Sequence, residues 1–181
     1  MRRETFSKIP LKINPLCYDQ LITARITNIM PIVHVPPEDK TKYQDLLLLA
    51  DEDWTMVMRY LPQAEVFIYR EEGDDTARAL IALLMHDSTT IEIKALAVRP
   101  SFQRQGYGRR MLTFAADYAQ DKANRLLVGT GDAPTTRPFY EQCGFVQCGV
   151  IPHFFKVHYP HPIVEAGVLL DDMILLERRF D

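Results

Sequence analysis

Residues 91–118 read IEIKALAVRPSFQRQGYGRRMLTFAADY and predict a strand, a turn and a helix in succession. The first part is rich in Ile, Val, Leu and Ala, and it ends at Arg99-Pro100, where proline removes a backbone donor from any sheet. From Tyr107 onward, apolar residues recur at steps of three and four positions, the period of a helix with one buried face. The sequence therefore predicts a strand that ends at Val98, followed closely by an amphipathic helix.

The turn between these two elements has the sequence Gln103-Arg104-Gln105-Gly106-Tyr107-Gly108. Glycine lets a ligand approach the backbone closely, and the unpaired N–H groups at a helix start carry about half a positive charge. These are the properties of a phosphate-binding site. The turn lacks the Gly-Lys-Ser/Thr of a P-loop and the third glycine of a dinucleotide-binding motif. Two glycines before a helix also occur in a simple turn, so the residues alone leave both interpretations open.

The remaining elements are predicted from hydrophobic periodicity and from the positions of Pro and Gly. Strands are predicted at residues 31–35, 65–69, 77–85, 90–98, 125–129, 145–150 and 172–178. Helices are predicted at 38–50, from a cap at Asp51 or Asp53 to Tyr60, at 106–122 and at 134–143. Strands joined by short turns pair antiparallel, and the strand after the long helix can lie parallel to the strand at 90–98.

The size and composition of the chain limit the classes of protein to which it can belong. Its 181 residues, 47% of them hydrophobic and 25% charged, are typical of one folded domain. The net charge of −3 gives no indication of a nucleic-acid partner. Cys17, Cys143 and Cys148 form neither a disulfide framework nor a metal-ligand pattern, which favours a reducing cytosol. We expect no membrane span and no secretion signal, because no apolar run approaches the required length.

Two motifs in the expected order resemble the GNAT superfamily of N-acetyltransferases, and in particular its bacterial stand-alone members. The first is Gln103-x-x-Gly106-x-Gly108, which resembles the loop that binds the pyrophosphate of coenzyme A in that family. The second is FYEQCGF at residues 139–145, which matches the family pattern Phe-Tyr-x-x-x-Gly-Phe. The resemblance covers residues 31–181, where we expect a GNAT domain. Residues 1–30 are then an N-terminal extension of undetermined structure.

The resemblance implies the GNAT fold, an α/β (α+β) fold with a central mixed, mostly antiparallel sheet of about six to seven strands flanked by helices. In this fold the strands that here end at Val98 and Gly129 splay apart and hold coenzyme A between them. Relatives often carry asparagine where this chain has Asp132, and an ionised carboxylate cannot donate a hydrogen bond to the pantetheine. The coenzyme contacts implied by the resemblance are Leu96, Ala97, Val98, Gln103, Arg104, Gln105, Gly106, Tyr107, Gly108, Arg109, Asp132 and Tyr140.

Acetyl transfer to an amine requires a base, because an amine with a pKa of about 10.4 is almost fully protonated at pH 7. Glu92 is the candidate base, since it stands at the register where histone-type members of the family place a catalytic glutamate. Strict alternation would put it on one face of its strand with Lys94, Leu96 and Val98. The alternative is that Glu92 only forms a salt bridge, with Lys94 or another neighbour.

Tyr140 is the candidate acid. The tyrosine of the second motif lies near the coenzyme sulfur in family members, and a phenol with a pKa of about 10 keeps its proton at pH 7. It can therefore donate to the leaving thiolate. The alternative is that Tyr140 is an aromatic residue of the core, the role that we expect for Phe139.

Residues 152–162, PHFFKVHYPHP, combine three histidines with aromatic residues. We interpret the aromatic residues as one wall of an acceptor site, with His153 or His158 as an alternative base. No zinc site is predicted, because cysteine and acidic residues at ligand spacing are missing from this segment. Trp54 is either the opposite wall of the acceptor site or a core residue.

The sequence therefore predicts a cytoplasmic N-acetyltransferase that moves an acetyl group from acetyl-CoA, its cosubstrate, to a primary amine. The amine attacks the thioester directly, without an acyl-enzyme intermediate and without a metal. The acceptor is a small-molecule amine or a protein amino group, nucleic acid and membrane are not partners, and a homodimer is left open. Two alternatives remain: a non-catalytic module that binds or senses coenzyme A or acyl-CoA, and a transferase that uses another acyl group.

Overall fold

Nine strands and five α-helices make up residues 32–180, the part of the chain that the computed structural model describes. The strands are β1 (Ile32–Val35), β2 (Glu65–Tyr69), β3 (Ala79–Asp87), β4 (Thr90–Val98), β5 (Arg125–Gly131), β6 (Val146–Ile151), β7 (Val164–Glu165), β8 (Val168–Leu169) and β9 (Met173–Arg179). The helices are α1 (Gln44–Ala50), α2 (Trp54–Tyr60), α3 (Tyr107–Gln120), α4 (Thr136–Glu141) and α5 (Phe154–His158), with 3₁₀ turns at Pro37–Tyr43 and Pro100–Phe102. The predicted extension at residues 1–30 lies outside the described residues. No helix within residues 32–180 has the length and apolar character needed to cross a bilayer.

Seven strands form one sheet in the order β1-β2-β3-β4-β5-β9-β6, and β7 and β8 form a separate hairpin. β4 and β5 run parallel, while the other neighbouring pairs of the described sheet are antiparallel. The helix α3 connects the two parallel strands, as a parallel crossover requires. The predicted mixed, mostly antiparallel sheet with one parallel pair is therefore confirmed.

Helices cover both faces of β1 to β4 but only one face of β5 and β9. α3 packs on one face, and its buried residues share a core with side chains from β2 to β5 and from β9. α1 and α2 pack on the opposite face, where Leu46, Leu47 and Val57 contact a second core that extends only to β4. On this face, the described residues of β5, β9 and β6 are left open, and a concave surface results.

β4 and β5 are paired over only part of their length. The pairing runs from Thr90 and Arg125 to Ile93 and Val128 and then stops, although β4 continues to Val98 and β5 to Gly131. β4 remains paired with β3 beyond this point, so only its edge toward β5 loses its neighbour. The predicted divergence of these two strands is confirmed.

A β-bulge at Lys94 marks the point where the two strands separate. Ala82 of β3 pairs with Ala95 and Leu83 pairs with Ile93, which leaves Lys94 without a partner of its own. Because a bulge adds one residue, it reverses the alternation of side chains beyond it. Ile91 and Ile93 lie in the α3 core before the bulge, and beyond it Leu96 and Val98 pack against that same core. Ala95 and Ala97 belong to the α1–α2 core instead.

One prediction from the sequence is therefore wrong. Strict alternation placed Glu92 on the same face as Leu96 and Val98, but the bulge between them puts Leu96 and Val98 against the α3 core, opposite to Glu92. Glu92 instead shares its face with Ala95 and faces the open side of the sheet. A single inserted residue has no periodic signature, which is why the sequence did not reveal it.

Short elements account for the remaining differences. The predicted helix at 38–50 is a 3₁₀ turn followed by α1, and α5 and the β7–β8 hairpin were not predicted. Strands of two residues are too short to show an alternating pattern. Of the two proposed caps, Asp53 caps α2, because its carboxylate accepts hydrogen bonds from the N–H groups of Thr55 and Met56.

Candidate active site

A cleft with a volume of about 1220 Å³ opens on the uncovered face of the sheet. Its floor is formed by Leu127 of β5 and by Leu175 and Glu177 of β9. The cleft extends along these two strands to the point where β4 and β5 separate. α1 and α2 contribute one side, and the segment that contains α5 contributes another. The aromatic side chains of that segment in the cleft lining are Phe154, Phe155 and Tyr159.

The predicted phosphate-binding turn has the backbone geometry that an anion site requires. Gly106 is the N-cap of α3 with a φ of +87°, and no described side chain caps the helix. The first N–H groups of the helix therefore stay available to a ligand. Arg104, two residues earlier, also has a positive φ, of +61°. The side chain of Gln105 donates to the carbonyl of Ser101 at 3.0 Å and so holds the turn in shape.

Gln103 connects the turn to the end of β4. Its Nε2 donates to the carbonyl oxygen of Val98 at 3.1 Å, so this carbonyl already has a partner. The N–H of Arg99 donates to Arg78, the residue before β3, at 2.9 Å. Backbone N–H and C=O groups alternate in direction along a strand. Those of Ala97 therefore point toward β3, whereas those of Leu96 and Val98 point into the gap toward β5. Leu96 thus presents both backbone groups to the gap.

The arginines around the turn have different surroundings. Arg110 donates to the hydroxyl of Tyr69 at 3.0 Å and lies over the rings of Tyr69 and Tyr107, so it belongs to the packing of α3. The Tyr107 side chain is buried and accepts a hydrogen bond from Arg78, which leaves only its backbone for a ligand. Arg104 and Arg109 are exposed.

Glu92 lies in the cleft and is also paired. Its side chain is 18% exposed, and its two carboxylate oxygens are 2.8 Å from Lys94 Nζ and 3.3 Å from His86 Nδ1. The pairing with Lys94 is thus observed, and the role of Glu92 as the base stays a prediction. A carboxylate in this position can accept a proton through a bridging water without leaving its partners.

Tyr140 lies between the core and the cleft. Its ring makes edge contacts with Phe139 and Phe145, and the side chain belongs to the α3 core while it also lines the cleft. Burial, and to a lesser extent the negative charge of Glu165, raises the pKa of Tyr140 above its ordinary value. The hydroxyl therefore keeps its proton at neutral pH and can act as a hydrogen-bond donor.

Four other candidates lie outside the cleft lining: Trp54, Asp132, His153 and His158. Asp132 is exposed and forms an ion pair with Arg137 at 3.3 Å. Trp54 packs against the α1–α2 core, in agreement with the core interpretation. His153 lies 3.1 Å from Asp171, and the ligand atoms of His153, Asp171 and Asp172 fall within 4.8 Å of one another. The Lys156 ammonium, 2.7 Å from Asp171, competes with any cation for that carboxylate.

Two residues that the sequence did not single out for the site, Asp51 and Tyr60, lie in the cleft together with Tyr159 of the predicted aromatic wall. The hydroxyl of Tyr159 donates to Asp51 Oδ1 at 3.1 Å, although 108 positions separate the two residues. Burial raises the pKa of Asp51 above its ordinary value. The sequence predicts Asp51 only as a possible helix cap, and no local signal joins it to Tyr159.

Comparisons with known proteins agree with this geometry. Residues 62–147 match the family model described as an acetyltransferase (GNAT) domain. The chain is 31% identical to the uncharacterized N-acetyltransferase YvbK of Bacillus subtilis (strain 168) over 146 residues, which are 80% of this chain and 93% of the relative.

Two solved structures are similar in both sequence and fold. A GNAT family acetyltransferase from Elizabethkingia anophelis with acetyl-CoA bound is 33% identical, with a TM-score of 0.76 over 82% of this chain and 97% of that one. A Bacillus subtilis acetyltransferase in complex with CoA is 29% identical, with a TM-score of 0.76 over 83% of this chain and 99% of that one. The fold is thus that of the GNAT structures, and the protein is an acyltransferase. The chain belongs to the GNAT family of acetyltransferases.

Proposed function

We propose that this protein transfers an acetyl group from acetyl-CoA to a primary amine by direct attack of the amine on the thioester. The separation of β4 and β5 after Ile93 and Val128, at the edge of the cleft, is the observation that carries the proposal. It leaves backbone groups of β4 available to an amide-bearing ligand beside an open acceptor cleft. Two relatives of similar fold were solved with acetyl-CoA or CoA bound, which supports the same cosubstrate here.

The coenzyme would be held at two places. The N–H groups of residues 106–109 would bind the pyrophosphate, with Arg104 and Arg109 close to the same anion. The pantetheine would bond to the backbone of Leu96 and Val98 in the gap. Asp132 would accept a hydrogen bond from the pantetheine only if it released Arg137.

The chemistry would use Glu92 and Tyr140, which both line the cleft. The amine nitrogen forms a bond to the thioester carbon, and the carbon–sulfur bond breaks. The amine proton passes through water to Glu92, while the departing thiolate accepts a hydrogen bond from Tyr140 and takes its proton from solvent. Because the raised pKa of Tyr140 opposes full proton transfer to a thiolate, we expect stabilisation by a hydrogen bond at this position.

The decisive experiment measures thiol release from acetyl-CoA in the presence and absence of primary amines, with the acetylated product identified by mass spectrometry. We expect release that depends on the amine. Tight binding of CoA in calorimetry without turnover of any amine would instead indicate a sensing module. Parallel reactions with propionyl-CoA and succinyl-CoA test whether acetyl is the preferred group.

A further inference from the structure

Three separate elements bring polar side chains together in the cleft: Asp51, Tyr60 and Tyr159. Asp51 follows α1, Tyr60 ends α2, and Tyr159 follows α5. The hydrogen bond from Tyr159 to Asp51 Oδ1, at 3.1 Å, connects the N-terminal helices to the aromatic segment on the other side of the cleft. The N–H of Asp53 donates to the same oxygen at 3.2 Å. The Asp51 carboxylate is therefore fixed in position.

Asp51 has no counter-ion, in contrast to Glu92 and Glu177 of the same cleft. Glu92 is paired with Lys94 and His86, and Glu177 is paired with Arg125 and Arg179. Within residues 32–180, no basic side chain lies within ion-pair distance of Asp51. A partly buried carboxylate that has hydrogen bonds but no counter-ion is still unfavourable, because the protein interior solvates an ion less well than water does.

Tyr60 provides an independent indication of a ligand. Its side chain is 5% exposed and lines the cleft, and its hydroxyl has no hydrogen-bond partner among the described residues. A buried hydroxyl in a folded protein normally has a hydrogen-bond partner. Where no protein group provides one, a ligand or a bound water is expected to do so. The Tyr60 hydroxyl therefore lacks a partner, and in the same part of the cleft Asp51 Oδ2 accepts no hydrogen bond from residues 32–180.

The ring of Tyr60 already lies near one ammonium group. Lys94 Nζ lies over this ring at 5.6 Å from its centroid, and its charge is balanced by Glu92, 2.8 Å away. Lys94 Nζ thus lies near both the Tyr60 ring and Glu92, the proposed base. A cation bound at Asp51 would be distinct from the amine that reacts beside Glu92.

We propose that Asp51, Tyr60 and Tyr159 form a subsite for a second cationic group of the acceptor, so that the preferred acceptor is a diamine or a similar dication. One amine would react at the thioester, and the other would stay charged and donate hydrogen bonds to Asp51 and to the Tyr60 hydroxyl. The surrounding rings of Phe154, Phe155 and Tyr159 would contact the methylene chain between the two nitrogens. This inference rests on the proposed amine acetylation.

The test compares 1,4-diaminobutane with butylamine, which has the same chain and only one charge. Asp51→Asn keeps an acceptor for Tyr159 and for the Asp53 N–H but removes the charge. We expect it to raise KM for the diamine about tenfold or more, to change kcat less, and to leave the kinetics of butylamine nearly unchanged. The matched control is Asp53→Asn, which removes a charge two residues away and preserves the helix cap.

A binding measurement separates this inference from the proposed function. Calorimetric titration of 1,4-diaminobutane into the CoA-loaded protein should show binding that Asp51→Asn weakens about tenfold, even if no amine is turned over. Tyr60→Phe should also weaken it while leaving the melting temperature equal or higher, because the variant removes a buried hydroxyl without a partner. Equal effects of Asp51→Asn on the two amines, no effect on either, or an undiminished affinity in both variants would overturn the inference.

Discussion

Gly106 is the residue on which the shape of the coenzyme loop depends most directly. Its φ of +87° is a conformation that residues with side chains rarely adopt, and a Cβ placed on it would meet nothing within 4 Å. Asparagine and aspartate tolerate this conformation better than other residues. A side chain at this position therefore changes the charge of the loop without a steric clash.

Gly106→Asp should weaken CoA binding about tenfold or more relative to Gly106→Asn, because only the aspartate places a negative charge where the pyrophosphate would bind. Isothermal titration calorimetry with CoA measures the difference, and the asparagine variant controls for the added volume and the strain. If the two variants bound CoA equally well, the loop would not be the anion site.

Tyr140 is the residue at which the proposed chemistry can be tested most simply. Tyr140→Phe removes the hydroxyl and keeps the ring contacts with Phe139 and Phe145. We expect kcat to fall about tenfold or more, with little change in CoA affinity, because the lost hydrogen bond acts on the departing sulfur. Tyr118→Phe, on α3 and outside the cleft lining, is the matched control. An unaltered rate in Tyr140→Phe would remove this residue from the mechanism.

At the scale of elements, the bulge in β4 determines both the gap and the direction of the side chains beside it. Lys94 is the additional residue, and it directly follows Ile93, the last residue paired with β5. A bulge bends a strand and increases its twist. The same residue therefore accounts for the opening of the gap and for the packing of Leu96 and Val98 against the α3 core.

Deletion of Lys94 should leave the protein folded but weaken CoA binding about tenfold or more. Without the extra residue, Ile93 and Ala95 would pair with consecutive residues of β3 and each buried side chain would keep its present face, while β4 could stay beside β5. Circular dichroism melting and calorimetry with CoA measure the two quantities. Lys94→Ala, which keeps the bulge and loses the charge, should bind CoA almost normally. Normal affinity in the deletion variant would show that the bulge does not open the gap.

At the scale of the whole molecule, the cleft floor carries a buried ion pair that connects β5 to β9. The Glu177 side chain is 8% exposed and accepts hydrogen bonds from Arg179 at 2.7 Å and from Arg125 at 3.1 Å. These two hydrogen bonds, that of Arg179 first, lower the pKa of Glu177 below its ordinary value. A lowered pKa means that the folded protein favours the ionised form, so this interaction stabilises the fold above the unfolded pKa of glutamate and is lost as the pH falls through the folded one.

Glu177→Gln should lower the free energy of unfolding by roughly 1–3 kcal/mol at pH 7, and the difference from the original protein should shrink as the pH falls below about 4. Urea unfolding between pH 7 and pH 3 measures both curves. Glu141→Gln, which breaks an ion pair with Arg137 at the surface, should change stability by only about 0.5 kcal/mol or less. A difference at Glu177 that did not depend on pH would show that the charge of this side chain is not what stabilises the sheet.

The amino-acid sequence alone determined the elements with strong local signals. The alternation of β4, the period of α3 and the glycines between them predicted a strand, a turn and a helix, and a second motif at residues 139–145 indicated the family. Short turns between β2, β3 and β4 correctly predicted the antiparallel pairs. These features depend on neighbouring residues in the chain, so a single sequence contains them.

Only the tertiary structure decided which side chains meet in the cleft. The bulge at Lys94 reversed the alternation of side chains in the second part of β4. The cleft also brought together residues from distant parts of the chain, namely Asp51, Tyr60 and Tyr159. The physical reason is that such contacts depend on register and on packing between elements, which leave no periodic pattern in any one segment. The sequence thus determined the fold, while the tertiary structure brought the candidate acceptor subsite together.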